Sequence, residues 1–187
     1  PQLQPHAVPL HRRVNVRDIA DELRNEEIPL LPNDGITKLL ASWRAKTLSR
    51  DDPPPELEPS AAQLSYLAVC KHASENPYVN AAFWGPYQDR MMARLLEVMW
   101  MQMPDGTRVR QRFLGPPTIM QWVVCWLVFQ TGLIMHDMAD YQTMVDYMEF
   151  IKELHTIYGH KCWAIIYQAD ARMRRTGLEG IRRAATR

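Results

Sequence analysis

The chain is poor in glycine and cysteine, with eight and three among 187 residues. That excludes a collagen-like repeat and a disulfide-stapled scaffold. It also lacks a dominant charge. Its 22 basic and 21 acidic residues leave a net +1, so whole-chain charge demands neither nucleic acid nor an acidic substrate. No charged stretch followed by an apolar run and a small-residue site opens the chain, so no signal peptide is visible. There is no Gly-rich phosphate loop, no Gly-x-Ser-x-Gly and no Cys/His nucleophile arrangement. No carboxylates pair within an apolar setting that would tune their pKa. These absences point to a protein that is not an enzyme and needs no cofactor. A small hydrolase or nuclease would rest only on His136-Asp137 and His155/His160.

What is present suits a globular chain: 47% hydrophobic and 23% charged residues. The length fits one domain, or one domain with a small appendage. Met (11), Trp (6) and Pro (14) are the unusual counts. The chain starts at Pro1 rather than Met, as expected of a processed product or an excised piece. Cys70, Cys125 and Cys162 are odd in number and lack paired spacing. That suits reduced thiols in an intracellular protein of nucleus or cytoplasm. Cys125, inside an apolar run, reads as a small core hydrophobe. His155, His160 and Cys162 cluster as three candidate metal ligands without a Cys-x-x-Cys, and structural histidines are the expectation. Phe113 to Met135 carries no charge and approaches the length of a membrane span. Gly115, Pro116, Pro117, Gln121, Gln130, Thr131 and Gly132 interrupt it, so a central buried helix is expected and membrane insertion is not.

Charge is segregated. Residues 1–50 and 151–187 are basic, and residues 51–150 between them are acidic. Residues 1–14 read as an extended arm. Val16, Ile19, Ala20 and Leu23 follow helical spacing to about Glu27, where Ile28-Pro29 stops them. Pro32, Asn33, Asp34 and Gly35 supply turn chemistry, and a second helix is expected over about Ile36–Leu48. Residues 15–49 thus form a small N-terminal helical pair. Residues 50–60 contain three consecutive prolines and read as a semi-rigid linker.

A helical domain over 61–187 follows. Ser60 and Gln63 form a capping box for a helix over 61–75. Another helix is expected over about 87–98. Met99 to Phe113 then reads as a hairpin around Asp105-Gly106. Period 2 places Arg108, Arg110 and Arg112 on one face of the return strand. The long apolar helix runs from Pro117-Thr118 to His136. A helix over 140–158 carries the stripe Met144, Met148, Ile151 and Leu154, and Gly159 stops it. A last helix covers 161–175 with Trp163, Ile166 and Tyr167 inward, and a basic tail follows. The fold class is mainly α, with one β-hairpin.

Three guanidiniums at two-residue intervals suit a phosphate backbone, which each can grip through two N–H donors. The alternative is a solvated strand face. The basic tail (Arg172, Arg174, Arg175, with Arg182, Arg183 and Arg187) would bind a polyelectrolyte by counterion release. Its alternative is a charged helix end followed by a frayed terminus. Met99, Trp100, Met101 and Met103 are candidates for self-association, since methionine-rich surfaces adapt to partners.

Two family resemblances join these readings. Ile19, Leu23, Ile28-Pro29, Gly35, Lys38 and Leu39-Leu40 resemble a SAP-type helix–extended-loop–helix module. The resemblance implies DNA binding through backbone contacts, with Lys38, Arg44 and Lys46 as the contacts. Here the loop is longer, carries Asp34, and has Gly35-x-x-Lys38 in place of Gly-x-Lys. Residues about 52–176 resemble a multicopy family of unicellular eukaryotes associated with mobile elements. The matching stretches are 59–66, Pro77-Tyr78-Val79, Trp84-Gly85-Pro86-Tyr87, Gly115-Pro116-Pro117, the Trp122/Trp126/Phe129 helix, and Trp163 through Gln168-Ala169-Asp170-Ala171-Arg172. That family brings no established activity. The combined expectation is a nucleic-acid-associated structural protein of Gag or capsid type, binding DNA or RNA and associating with itself. The rival is a protein–protein adaptor or a subunit of a larger assembly.

Overall fold

The computed structural model describes residues 13–15, 27–47, 51–77, 80–85, 97–102, 106–113, 116 and 118–177. The fold is mainly α. Its elements in chain order are β1 (Arg13–Asn15), β2 (Glu27–Pro29), α1 (Asn33–Lys46), α2 (Ala61–Ala73), β3 (Glu97–Gln102), β4 (Arg108–Phe113), α3 (Ile119–Met135), α4 (Tyr141–Tyr158) and α5 (Trp163–Arg172). Short turns of tighter or wider helix occur at Ala81–Trp84, His160–Cys162 and Met173–Gly177.

Helix α3 is the centre. Thr118 caps it by accepting a hydrogen bond from the Gln121 N–H at 3.3 Å. Trp122, Cys125, Trp126, Val128, Phe129 and every residue from Gln130 to Met135 are buried. The apolar run is therefore a buried helix. No helix among the described residues is long and apolar enough to cross a membrane.

The core around α3 is largely aromatic. Trp122 and Trp126 stack at 5.2 Å, Trp84 meets Phe129 edge-on at 4.9 Å, and Tyr147 lies 4.9 Å from Trp126. Each such ring withdraws about 150–250 Å² from water when buried. Three of the indole N–H groups find acceptors, while that of Trp84 is buried without one. Trp122 donates to Asp170, Trp126 to the Met144 carbonyl and Trp163 to the Pro116 carbonyl.

Helix α2 opens on the expected capping box: the Gln63 N–H donates to Ser60 Oγ, and the Ser60 N–H donates to Gln63 Oε1. It closes with Ser74 at φ 55°, where the Glu75 N–H reaches back to the Cys70 carbonyl. Gly132 lets α2 and α3 approach closely. A Cβ there would stand 2.7 Å from Leu67 Cδ1 and 3.2 Å from the Trp84 ring. Leu67 and Trp84 are fully buried and have no room to yield. On α4, Gly159 follows the end, as the sequence predicts, and Asp140 caps the start by accepting from the Thr143 N–H.

Several expectations are corrected. Of the expected arm over 1–14 only Arg13 and Val14 are described, and with Asn15 they are not free but pair antiparallel with Glu27–Pro29, in the register Val14 to Ile28. Ile28-Pro29 therefore belongs to a strand, which Glu27, the expected last helical residue, opens. The pairing joins residues far apart in sequence, which local periodicity cannot register. The expected helix over 16–27 lies, apart from Glu27, outside the described residues. Helix α1 starts at Asn33, three residues before the expected Ile36. Pro32 stands extended before it, and Asp34 in its first turn faces the positive end of the helix dipole.

Glu97 and Val98, expected in a helix, open β3. Val98 lies opposite Arg112 in the ladder, so the hairpin starts two residues earlier than predicted. The rest of that expected helix lies outside the described residues. The last expected helix is divided. A tight turn covers His160–Cys162, and the final turn widens where Arg174 folds inward onto Asp170.

The proline-rich stretch is not a free spacer. Pro53 and Pro59 are buried. The N-terminal elements also join the main core. Ile28 is buried within it, the Leu31 N–H donates to Ser65 Oγ at 2.9 Å, and Lys46 reaches the end of α3. A short apolar segment gains more by completing one core than by standing alone.

Candidate nucleic-acid and assembly surfaces

The hairpin is a six-residue antiparallel ladder on each side, described by its backbone register. Arg108, Arg110 and Arg112 take alternate positions of β4, opposite Gln102, Trp100 and Val98. Strand rise separates successive arginines by about 6.7 Å along the strand. Met99 and Met101 lie opposite Gln111 and Val109, in the intervening register positions. Met103 lies outside the described residues.

The remaining candidate cations do not share one surface role. Lys38 is exposed on α1 beside Asp34, 4.0 Å away. Arg44 is exposed and pairs with Asp52 at 3.0 Å, which ties α1 to the proline-rich stretch. An exposed pair of this kind contributes little to stability. Lys46 has a different task. Its Nζ donates to the Ile134 carbonyl at 3.0 Å and pairs with Asp137 at 2.7 Å.

The Lys46 contacts belong to the C-terminal end of α3, where the last carbonyls lack helical partners. Lys71, from α2, donates to the His136 carbonyl there. Two lysines from two helices thus face the negative end of the dipole. Asp137 adopts φ 58° in this turn, and the Lys46 ammonium holds its carboxyl below the usual range. His136 is 6% exposed. Burial pushes its imidazole pKa down to about 4, a hydrogen bond with Leu64 works against this, and the charges of Lys71 and Lys46 add to the lowering. The His136-Asp137 pair is the end of a helix, as its sequence context suggests. A shallow cleft beside it is lined by Lys46, Ile134, Asp137, Met138, Ala139, Asp140 and Tyr141.

Arg174 is corrected outright as a nucleic-acid contact. It is 6% exposed. Its Nε and Nη2 donate to the two oxygens of Asp170 at 2.9 and 2.8 Å. Asp170 also accepts from Tyr147 Oη at 2.7 Å and from the Trp122 indole at 3.2 Å. Burial and the Asp170 charge both push the Tyr147 hydroxyl pKa up. Arg172 and Arg175, on either side, are exposed. Arg182, Arg183 and Arg187 lie outside the described residues.

Sequence reasoning missed this buried centre, although a signal was available. Trp163, Ile166, Tyr167, Asp170 and Arg174 fall at i, i+3, i+4, i+7 and i+11, one helical stripe. An aspartate and an arginine four apart on an apolar stripe announce an internal ion pair. The His155 ring packs against Trp163 at 6.2 Å, with Cys162 half-buried nearby. Among the described residues no three His, Cys, Asp or Glu side chains converge as metal ligands.

The chain matches no protein-family model, no curated protein and no solved structure in the three comparisons made. The class defined by the fold is a mainly α protein with a β-hairpin.

Proposed function

We propose that this chain is a non-enzymatic structural protein that associates with nucleic acid, of Gag or capsid type, acting inside the cell. The observation that carries this reading is the β4 register, with Arg108, Arg110 and Arg112 at alternate positions of one ladder. Guanidiniums repeated at that interval suit successive phosphates of a DNA or RNA backbone. Lys38 and Arg44 on α1, Arg172 at the end of α5 and Arg175 just beyond it supplement them. Lys46 is engaged by the Ile134 carbonyl and Asp137, and Arg174 by Asp170 in the core.

The test is binding to duplex DNA and to single-stranded RNA across a salt series, with wild type beside Arg108→Ala/Arg110→Ala/Arg112→Ala. Binding should fall steeply with salt. The triple variant should lose close to three phosphate contacts, each worth roughly 0.7–0.9 in the log–log slope. No binding at low salt would sink the reading.

A protein–protein adaptor is the second reading. The apolar side chains exposed on α4 and α5, among them Phe150, Ile157 and Ile165, favour it. On that reading the basic positions meet acidic protein, and a discrete complex with one partner replaces nucleic-acid binding.

A further inference from the structure

Helix α4 carries more apolar surface than the core uses. Met144 and Ile151 are buried, and Met148 and Leu154 are half-buried. Beyond them Phe150 and Ile157, at i and i+7, form an outer row. Phe150 is 48% and Ile157 63% exposed. Asp146 and Glu153, both exposed and seven residues apart, edge this row. Helix α5 has a comparable outer row with the opposite fringe. Ile165 is 61% exposed, Ala169 follows at i+4, Met173 continues the row in the wide turn beyond the helix, and the exposed Arg172 and Arg175 lie alongside.

The fringes select the partner. An antiparallel pairing of α4 with its own copy about Phe150, the middle of the helix, would bring Glu153 beside Asp146 of the other copy. Like charges so placed oppose association. Setting α4 of one copy on α5 of another instead brings carboxylates to guanidiniums around an apolar centre.

We propose that the outer row of α4 docks on the outer row of α5 of a second copy, forming a head-to-tail contact. A heterologous contact repeats from copy to copy, giving a ring if it closes and a filament if it does not. One helix on one helix lies at the small end of specific interfaces, so the association depends on concentration. The inference rests on the assembly half of the function proposed above and not on nucleic-acid binding.

The test is sedimentation velocity of the full chain, free of nucleic acid, over a concentration series at low and high salt. The mean mass of the wild type should rise with concentration, more at low salt. Phe150→Ser/Ile157→Ser should abolish the rise, and so should Ile165→Ser. All three positions are exposed, so unfolding midpoints should hold. Mixed together, the two defective proteins each keep one intact face and should form a dimer that grows no further. Glu153→Arg should weaken assembly, and Arg172→Glu in the same chain should restore it.

A wild type that stays monomeric throughout overturns the proposal. So does a mixture that stays monomeric, which would point to a self-paired interface. Stronger assembly of Glu153→Arg, or no restoration by Arg172→Glu, overturns the charge pairing and the proposal with it. Salt-dependent RNA binding of the same variants is read separately, so loss of assembly and failure of the nucleic-acid reading are distinguishable.

Discussion

Arg172 and Arg174 stand two positions apart in one basic stretch, and the helix turns them to opposite fates. Arg172 faces solvent, while Arg174 closes a two-pronged contact on Asp170 in the core. Arg174→Ala would leave Asp170 buried without its cation, a loss of about 3–5 kcal/mol. Arg172→Ala should stay within about 0.5 kcal/mol of wild type. Urea unfolding separates the two, and an unaffected Arg174→Ala would return that residue to the surface set.

His136 makes a second residue-scale prediction. Its pKa falls from an ordinary 6.5 to about 4 on folding, so the unfolded chain binds the extra proton. The stabilisation is present above pH 6.5 and is lost as pH falls from there to about 4. The full difference is on the order of 3 kcal/mol. Comparing urea midpoints at pH 7 and pH 5 should show the loss, and His136→Gln should flatten that part of the profile. Neither the Arg174 fork nor the His136 environment is visible in composition, because both depend on which side of a helix faces the core.

At the scale of elements, legibility follows range. Helices α2, α3 and α4 could be read nearly to the residue, because their signals are local: the Ser60/Gln63 box, the Pro117-Thr118 start, the Gly159 stop. The hairpin was legible for the same reason, Asp105-Gly106 lying between alternating runs. The pairing of Arg13–Asn15 with Glu27–Pro29 was not, since each strand has only three residues and its partner is distant. The start of α1 was missed because Asn33-Asp34-Gly35 has the chemistry of a turn and also of a first helical turn, and the extended Pro32 before it decides between them. The candidate site was legible as residue types and less so as a surface. Arg108, Arg110 and Arg112 keep the expected alternation, whereas Lys46 is drawn to carbonyls that belong to another helix.

At the scale of the molecule, the boundary suggested by three consecutive prolines does not isolate what precedes it. Ile28 is 2% exposed and belongs to the same core as Trp84 and Trp126. Ile28→Ala should therefore destabilise the whole cooperative unit, by about 2–5 kcal/mol. Two probes distinguish this from a loss confined to the N-terminal part. Far-UV and near-UV circular dichroism should report one coincident transition, shifted in the variant. Two separate transitions, with only the first shifted, would mean that the proline-rich stretch does divide the protein. Composition cannot reveal such docking, because a run of prolines reads the same whether it spans open solvent or lies against a core.

The stacked pair Trp122 and Trp126, inclined by only 14°, gives the protein an optical property of its own. Indoles held in one fixed, asymmetric setting give a near-ultraviolet circular-dichroism signal that freely turning rings lack. That signal reports whether α3 is gripped by its neighbours, and it vanishes when the grip loosens even if the helices survive. The protein thus distinguishes, without any label, between being helical and being packed.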